Sequence, residues 1–81
     1  MTSRDEISQW FDDGVAKGAT HMIVACDCYS WDDYPSYVMP GEDPKEKEKE
    51  ILDHGMQKIM EVYNLSMDKD TQLRQGRAFN Y

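Results

Sequence analysis

Residues 20–28, Thr-His-Met-Ile-Val-Ala-Cys-Asp-Cys, constrain this chain more than any other stretch. Successive side chains of a strand point to opposite faces. Met22, Val24, Cys26 and Cys28 therefore share one face, and His21, Ile23, Ala25 and Asp27 share the other. Both faces have apolar members, which predicts a central strand with cover on each side. A chain of 81 residues must supply that cover from one small domain, residues 1–81.

The flanking segments predict the neighbours. Tyr34 to Met39 alternates as a second strand, and Pro35, lacking an N–H, assigns it to an edge or a strand start. The connection Tyr29-Ser30-Trp31-Asp32-Asp33 is short enough for an antiparallel hairpin. Before the hairpin, Ser3-Arg4-Asp5-Glu6 fits a capping box, and Ile7, Trp10, Phe11 and Val15 fall on one helical face that Gly18 ends. Gly14, in the last turn, weakens that helix or lets another backbone come close.

After the turn Pro40-Gly41, Asp43 is the expected N-cap of a second helix and Pro44 its first residue. Leu52, Met56, Ile59, Met60 and Tyr63 follow at helical spacing, with Asn64 as C-cap. Ser66 is then the expected cap of a short helix through Gln75, ended by Gly76. The final aromatics Phe79 and Tyr81 suggest a docked tail. The predicted class is α+β: an α-β-β-α order, an antiparallel hairpin packed on two helices, plus a C-terminal tail or short helix. Two helices on a hairpin cover one of its sides well. Burial of the other predicts a homo-oligomer, a dimer first.

Charge narrows the partners. Residues 1–44 carry two basic and nine acidic side chains, and residues 45–81 carry seven of each. The net charge of −7 thus lies in the first half and argues against a broad nucleic-acid-binding face, so no double-stranded nucleic acid is expected. No apolar run approaches a membrane span. The N-terminal residues have neither the basic nor the apolar region of a secretory signal, which predicts a cytoplasmic protein with free thiols at Cys26 and Cys28.

Few residues suggest chemistry. Cys26 and Cys28 with His21 and His54 do not have the spacing of a zinc site. The strand pattern puts His21 and Cys26 on opposite faces, which disfavours a thiol–imidazole pair. The acids Asp27, Asp32, Asp33, Glu42 and Asp43 fail the calcium-loop pattern: Tyr29 and Trp31 occupy its third and fifth positions. They read as a solvated rim. No cofactor, metal or catalytic residue is predicted, and the chain reads as a non-enzyme. Tyr29, Trp31, Tyr34 and Tyr37 concentrate around the hairpin loop as candidate ligand or interface residues. Arg74 and Arg77 in the tail are candidates for phosphate or carboxylate contacts.

The block Thr20-His21-Met22-Ile23-Val24-Ala25-Cys26-Asp27, followed by Asp33-Tyr34-Pro35-Ser36-Tyr37-Val38 and Met39-Pro40-Gly41-Glu42-Asp43, resembles a family of small uncharacterised proteins of bacteria and their phages. The resemblance implies a compact α/β unit in a mobile-element setting, with no activity or catalytic residues to carry over. Chains of this size in that setting often act by binding, as inhibitors of host defence proteins or as traps for nucleotide signals. The leading expectation is a non-catalytic protein that sequesters a small nucleotide-like ligand at an oligomer interface. The alternatives are an acidic inhibitor or adaptor of a basic protein surface, and a small enzyme using Asp27, His21 or Cys26.

Overall fold

The computed structural model of the chain describes residues 3–75 and 78–81. The elements run α1 (Arg4–Lys17), β1 (His21–Asp27), β2 (Asp32–Val38), α2 (Pro44–Asp53), β3 (Gln57–Asn64) and α3 (Lys69–Arg74). The expected caps are in place. The Ser3 hydroxyl accepts from the Glu6 N–H at 3.2 Å, and Gly18 ends α1 with a φ of 79°. Asp43 accepts from the Lys45 N–H at 3.0 Å, with Pro44 opening α2.

The three strands form one antiparallel sheet in the order β2-β1-β3. β1 is central, and Pro35 lies on edge strand β2, both as the sequence predicts. The predicted class, α+β with an antiparallel hairpin, stands.

The second half of the expected second helix is instead a strand. α2 stops at Asp53, and the chain reverses through Gly55 and Met56, with φ of 74° and 56°. β3 follows on the open edge of β1. Leu52 and Met56, the first two members of the supposed buried stripe, are exposed, whereas Val62 and Tyr63 are fully buried. A bulge opposite Val24 and Ala25 makes Met60 the extra residue of β3. Ile59 therefore packs on one face of the sheet and Met60 on the other. Two adjacent apolar residues inside one strand break its alternation and imitate a helical period.

Each face has its own cover. Ile7 and Phe11 of α1 meet Met22, Val24 and Tyr63, with Ala78 of the tail in the same cluster. On the opposite face Ile51 of α2 meets Ile23, Ala25, Val38 and Val62. The apolar face expected to be left over for a second copy is thus covered by α2 of the same chain.

α1 crosses the sheet obliquely. Near its start Arg4 donates to Glu61 and Tyr63 of β3 at 3.3 and 3.0 Å. Towards its end Gly14 lies against the Tyr37 ring of β2 and Leu65. What comes close at Gly14 is a ring and a side chain, not a backbone. An added Cβ would sit 2.7 Å from a Tyr37 ring carbon.

The C-terminal segment docks. The Val62 N–H donates to the Ala78 carbonyl at 2.7 Å, and the Asn80 N–H donates to the Val62 carbonyl at 2.9 Å. Tyr81 donates to Glu48 of α2, and Lys45 lies 5.4 Å from its ring centre. α3 is capped by Asp68, which accepts from the Thr71 N–H at 3.0 Å, not by the expected Ser66. Ser66 instead donates its hydroxyl to Asn64. An Asp at this position offers the stronger, charge-assisted cap. The expected helix end, Gly76, lies outside the described residues.

Candidate functional site

The four hairpin aromatics do not share a surface. Tyr34 and Tyr37 are three residues apart on a strand, so they face opposite sides of the sheet. Tyr34 packs with the α2-side cluster, and its hydroxyl donates to Gln57 Oε1 at 2.5 Å. Tyr37 packs under α1, donating to the Trp10 carbonyl at 2.8 Å, with Lys17 Nζ 4.5 Å from its ring centre. Burial raises both phenols above their ordinary pKa, with Asp27 contributing at Tyr34 and Asp13 at Tyr37. These two tyrosines are half-buried on opposite faces of the sheet and do not line the groove beside Trp31.

Tyr29 and Trp31 remain in the open, 84% and 70% exposed. Their turn is built locally. Asp27 Oδ1 accepts from the Tyr29 N–H at 2.9 Å, and the Asp27 carbonyl accepts from the Trp31 N–H at 2.6 Å. Trp31 has a φ of 61°, the left-handed region. A bulky side chain seldom adopts that conformation, and it costs about 1–2 kcal/mol per residue.

Trp31 borders a groove of about 250 Å³ lined also by Cys26, Asp33, Lys58 and Met60. The strand register explains its composition. Cys26 pairs with Asp33 of β2 on one side and with Lys58 of β3 on the other. The three side chains therefore cross the sheet in one row, on the face that carries α1 further along. No α1 residue lines the groove, because the helix crosses over Met22 and Val24. Met60 reaches this face through the bulge. Asp33 and Lys58 form no ion pair with each other within 4.0 Å. Cys26 is buried, and that burial, followed by the facing Asp33, pushes its thiol above the ordinary value. It is a protonated floor, not a poised nucleophile. His21 stands at the other end of β1, roughly 17 Å along the strand. Its Nδ1 lies 3.0 Å from the Thr20 hydroxyl.

Arg74 is exposed on α3, which follows the Asn64 end of β3. Asn64 pairs with His21, whereas the Trp31 turn follows Asp27 at the opposite end of β1. Arg74 is not among the residues that line the groove beside Trp31. Arg77 lies outside the described residues.

The acidic set also divides. Glu42 accepts from the Met39 N–H and pairs with Lys47, and Asp43 caps α2. Only Asp27, Asp32 and Asp33 surround the turn. Among the described residues no group of three or more His, Cys, Asp and Glu is placed to hold a metal ion. No helix among them is long and apolar enough to cross a membrane. The helical spacing of Leu52, Met56, Ile59 and Met60 hides Lys58 and Met60 as strand residues in the sequence. Gly55 was the available signal for a break. Comparison with known families, curated proteins and solved structures finds no match.

Proposed function

We propose that this chain is a non-catalytic binding protein whose site is the groove beneath Trp31. The observation that carries the reading is Trp31 itself. It combines a left-handed backbone with a largely exposed indole. Folding favours Gly or Asn at such a position, and strained residues cluster where side chains meet ligands, which supports a contact role for this indole. Beneath it lie an acid, a base and two sulfur side chains within one cavity.

The site differs from the expected one. A nucleotide-like ligand calls for cations near its phosphates, and among the described residues Lys58 is the one cation lining the groove, facing Asp33. The reading therefore keeps small-molecule sequestration and drops reliance on Arg74. The test is mass spectrometry of small molecules released by heat from the purified protein and from Trp31→Ala. Ligand retained by the parent and lost from the variant supports the reading. Equal retention, or none together with no binding across a small-molecule panel, would overturn it.

Tyr29 favours a second reading. It projects beside Asp27, Asp32 and Asp33 and suits an acidic adaptor that meets a basic protein surface. Such binding weakens as salt rises and is lost on Tyr29→Ser, whereas occupancy of the groove is not.

A further inference from the structure

The geometry points to a zwitterionic ligand, a free α-amino acid with an apolar side chain, as the occupant of the groove beneath Trp31. This rests on the reading of the groove as the binding site and specifies its ligand class.

Three features carry the inference. The first is the pair of opposite charges. Asp33 and Lys58 stand on the strands either side of Cys26. Adjacent strands lie about 4.8 Å apart, so their backbones are separated by roughly 10 Å. The two charged groups line the same groove and form no ion pair with each other within 4.0 Å, so a ligand seated there meets both. An ammonium group placed beside Asp33 and a carboxylate beside Lys58 satisfy both with charge-assisted hydrogen bonds. A nucleotide or other polyanion meets one cation and a facing carboxylate, so the same row disfavours it.

The second feature is the wall. Trp31 and Met60 supply an indole and a thioether, and Cys26 supplies a buried thiol floor. These are apolar, polarizable surfaces suited to an aliphatic or aromatic side chain. An ammonium near the indole face gains further from cation–π attraction.

The third feature is size. A water molecule's share of liquid volume is about 30 Å³. A groove of about 250 Å³ therefore holds roughly eight waters, the scale of a single amino acid.

The experiment follows backbone amide resonances of Trp31, Asp33 and Lys58 during titration. The probes are L-phenylalanine, N-acetyl-L-phenylalanine, L-phenylalanine amide and adenosine monophosphate, each to about 10 mM, tenfold above a 1 mM dissociation constant. L-Phenylalanine is expected to saturate these shifts, and each capped analogue to bind at least tenfold more weakly. Asp33→Asn should abolish the discrimination against the N-acetyl form, and Lys58→Met the discrimination against the amide. Both positions are outside the buried core, and unshifted resonances elsewhere report an intact fold. If the capped forms bind as well as the free amino acid, or if only the nucleotide binds, the zwitterion assignment is overturned and the groove remains a binding site. If no probe moves these resonances, both the assignment and the groove reading fall.

Discussion

The side-chain amide of Gln72 holds both backbone groups of Asn64: its Oε1 accepts from the Asn64 N–H at 2.8 Å, and its Nε2 donates to the Asn64 carbonyl at 2.9 Å. Gln72 is fully buried and imitates one residue of a fourth strand at the end of β3. Asn80 of the tail donates to the same Oε1 at 3.0 Å. One amide thus joins β3, α3 and the docked C-terminal segment. Gln72→Leu keeps much of the volume but orphans buried polar groups. Each such group costs about 1–3 kcal/mol. The expected loss is about 2–4 kcal/mol in chemical denaturation, with early hydrogen exchange at Asn80. A loss below 1 kcal/mol would show that water replaces the amide.

Gly14→Ala sets two effects against each other. Alanine gains about 1 kcal/mol of helix propensity over glycine. The new methyl would lie 2.7 Å from a Tyr37 ring carbon and 2.8 Å from Leu65. Tyr37 is fixed by its bond to the Trp10 carbonyl and cannot retreat freely. Overpacking costs about 1–3 kcal/mol and wins. Thermal unfolding is expected to show a net loss of about 1–2 kcal/mol. A stabilised variant would refute the close approach of α1 to β2.

Tyr63 governs an alkaline limit. Burial first, then the neighbouring Glu61, raises its phenol well above the ordinary value of 10, against a smaller opposing effect of Arg4. Below pH 10 the phenol is protonated in both folded and unfolded chains, and stability does not depend on it. Above pH 10 the unfolded chain releases the proton while the folded one retains it, so stability falls until the folded phenol also ionises. Tyr63→Phe should flatten this decline. Some slope persists, because Tyr34, Tyr37 and Tyr81 are raised as well, Tyr81 to about 12. Denaturation midpoints from pH 8 upwards check the sign; an unchanged slope in the variant would exclude Tyr63 as the cause.

The legible parts of the fold were those with local causes. Ser3, Gly18, Asp43 and Pro44 act on their own helix ends, and each is read correctly from the sequence. The two-sided apolar pattern of β1 placed it centrally, and the missing N–H of Pro35 placed β2 at the edge. β3 was hidden because its bulge sets Ile59 beside Met60, so the strand shows a helical spacing. That one misassignment also concealed the groove, since Lys58 reaches Cys26 only through strand pairing. Trp31 was visible as an exposed aromatic, but its left-handed backbone is a property of the folded turn.

The two thiols should separate in reactivity. Cys26 is buried with a raised pKa, whereas Cys28 is half-buried at the start of the turn. With a disulfide-exchange reagent, one thiol is expected to react rapidly and the second much more slowly, and Cys28→Ser should remove the rapid phase. Two equally fast phases would mean that Cys26 has neither the shielding nor the raised pKa assigned to it.

Trp31→Asn separates folding from binding. The indole is 70% exposed, so its removal forfeits little burial. Asn tolerates the left-handed backbone better than Trp does, which relieves strain of about 1 kcal/mol. Stability is therefore expected to hold or to rise by up to about 1 kcal/mol. The affinity for L-phenylalanine should fall at least tenfold, because one wall of the groove is lost. This opposition between stability and affinity marks a residue kept for contact rather than for folding. Parallel denaturation and titration of the same preparation distinguish the cases. A variant that loses more than about 1 kcal/mol of stability assigns Trp31 to the framework instead, as a cover over Cys26 and Met60.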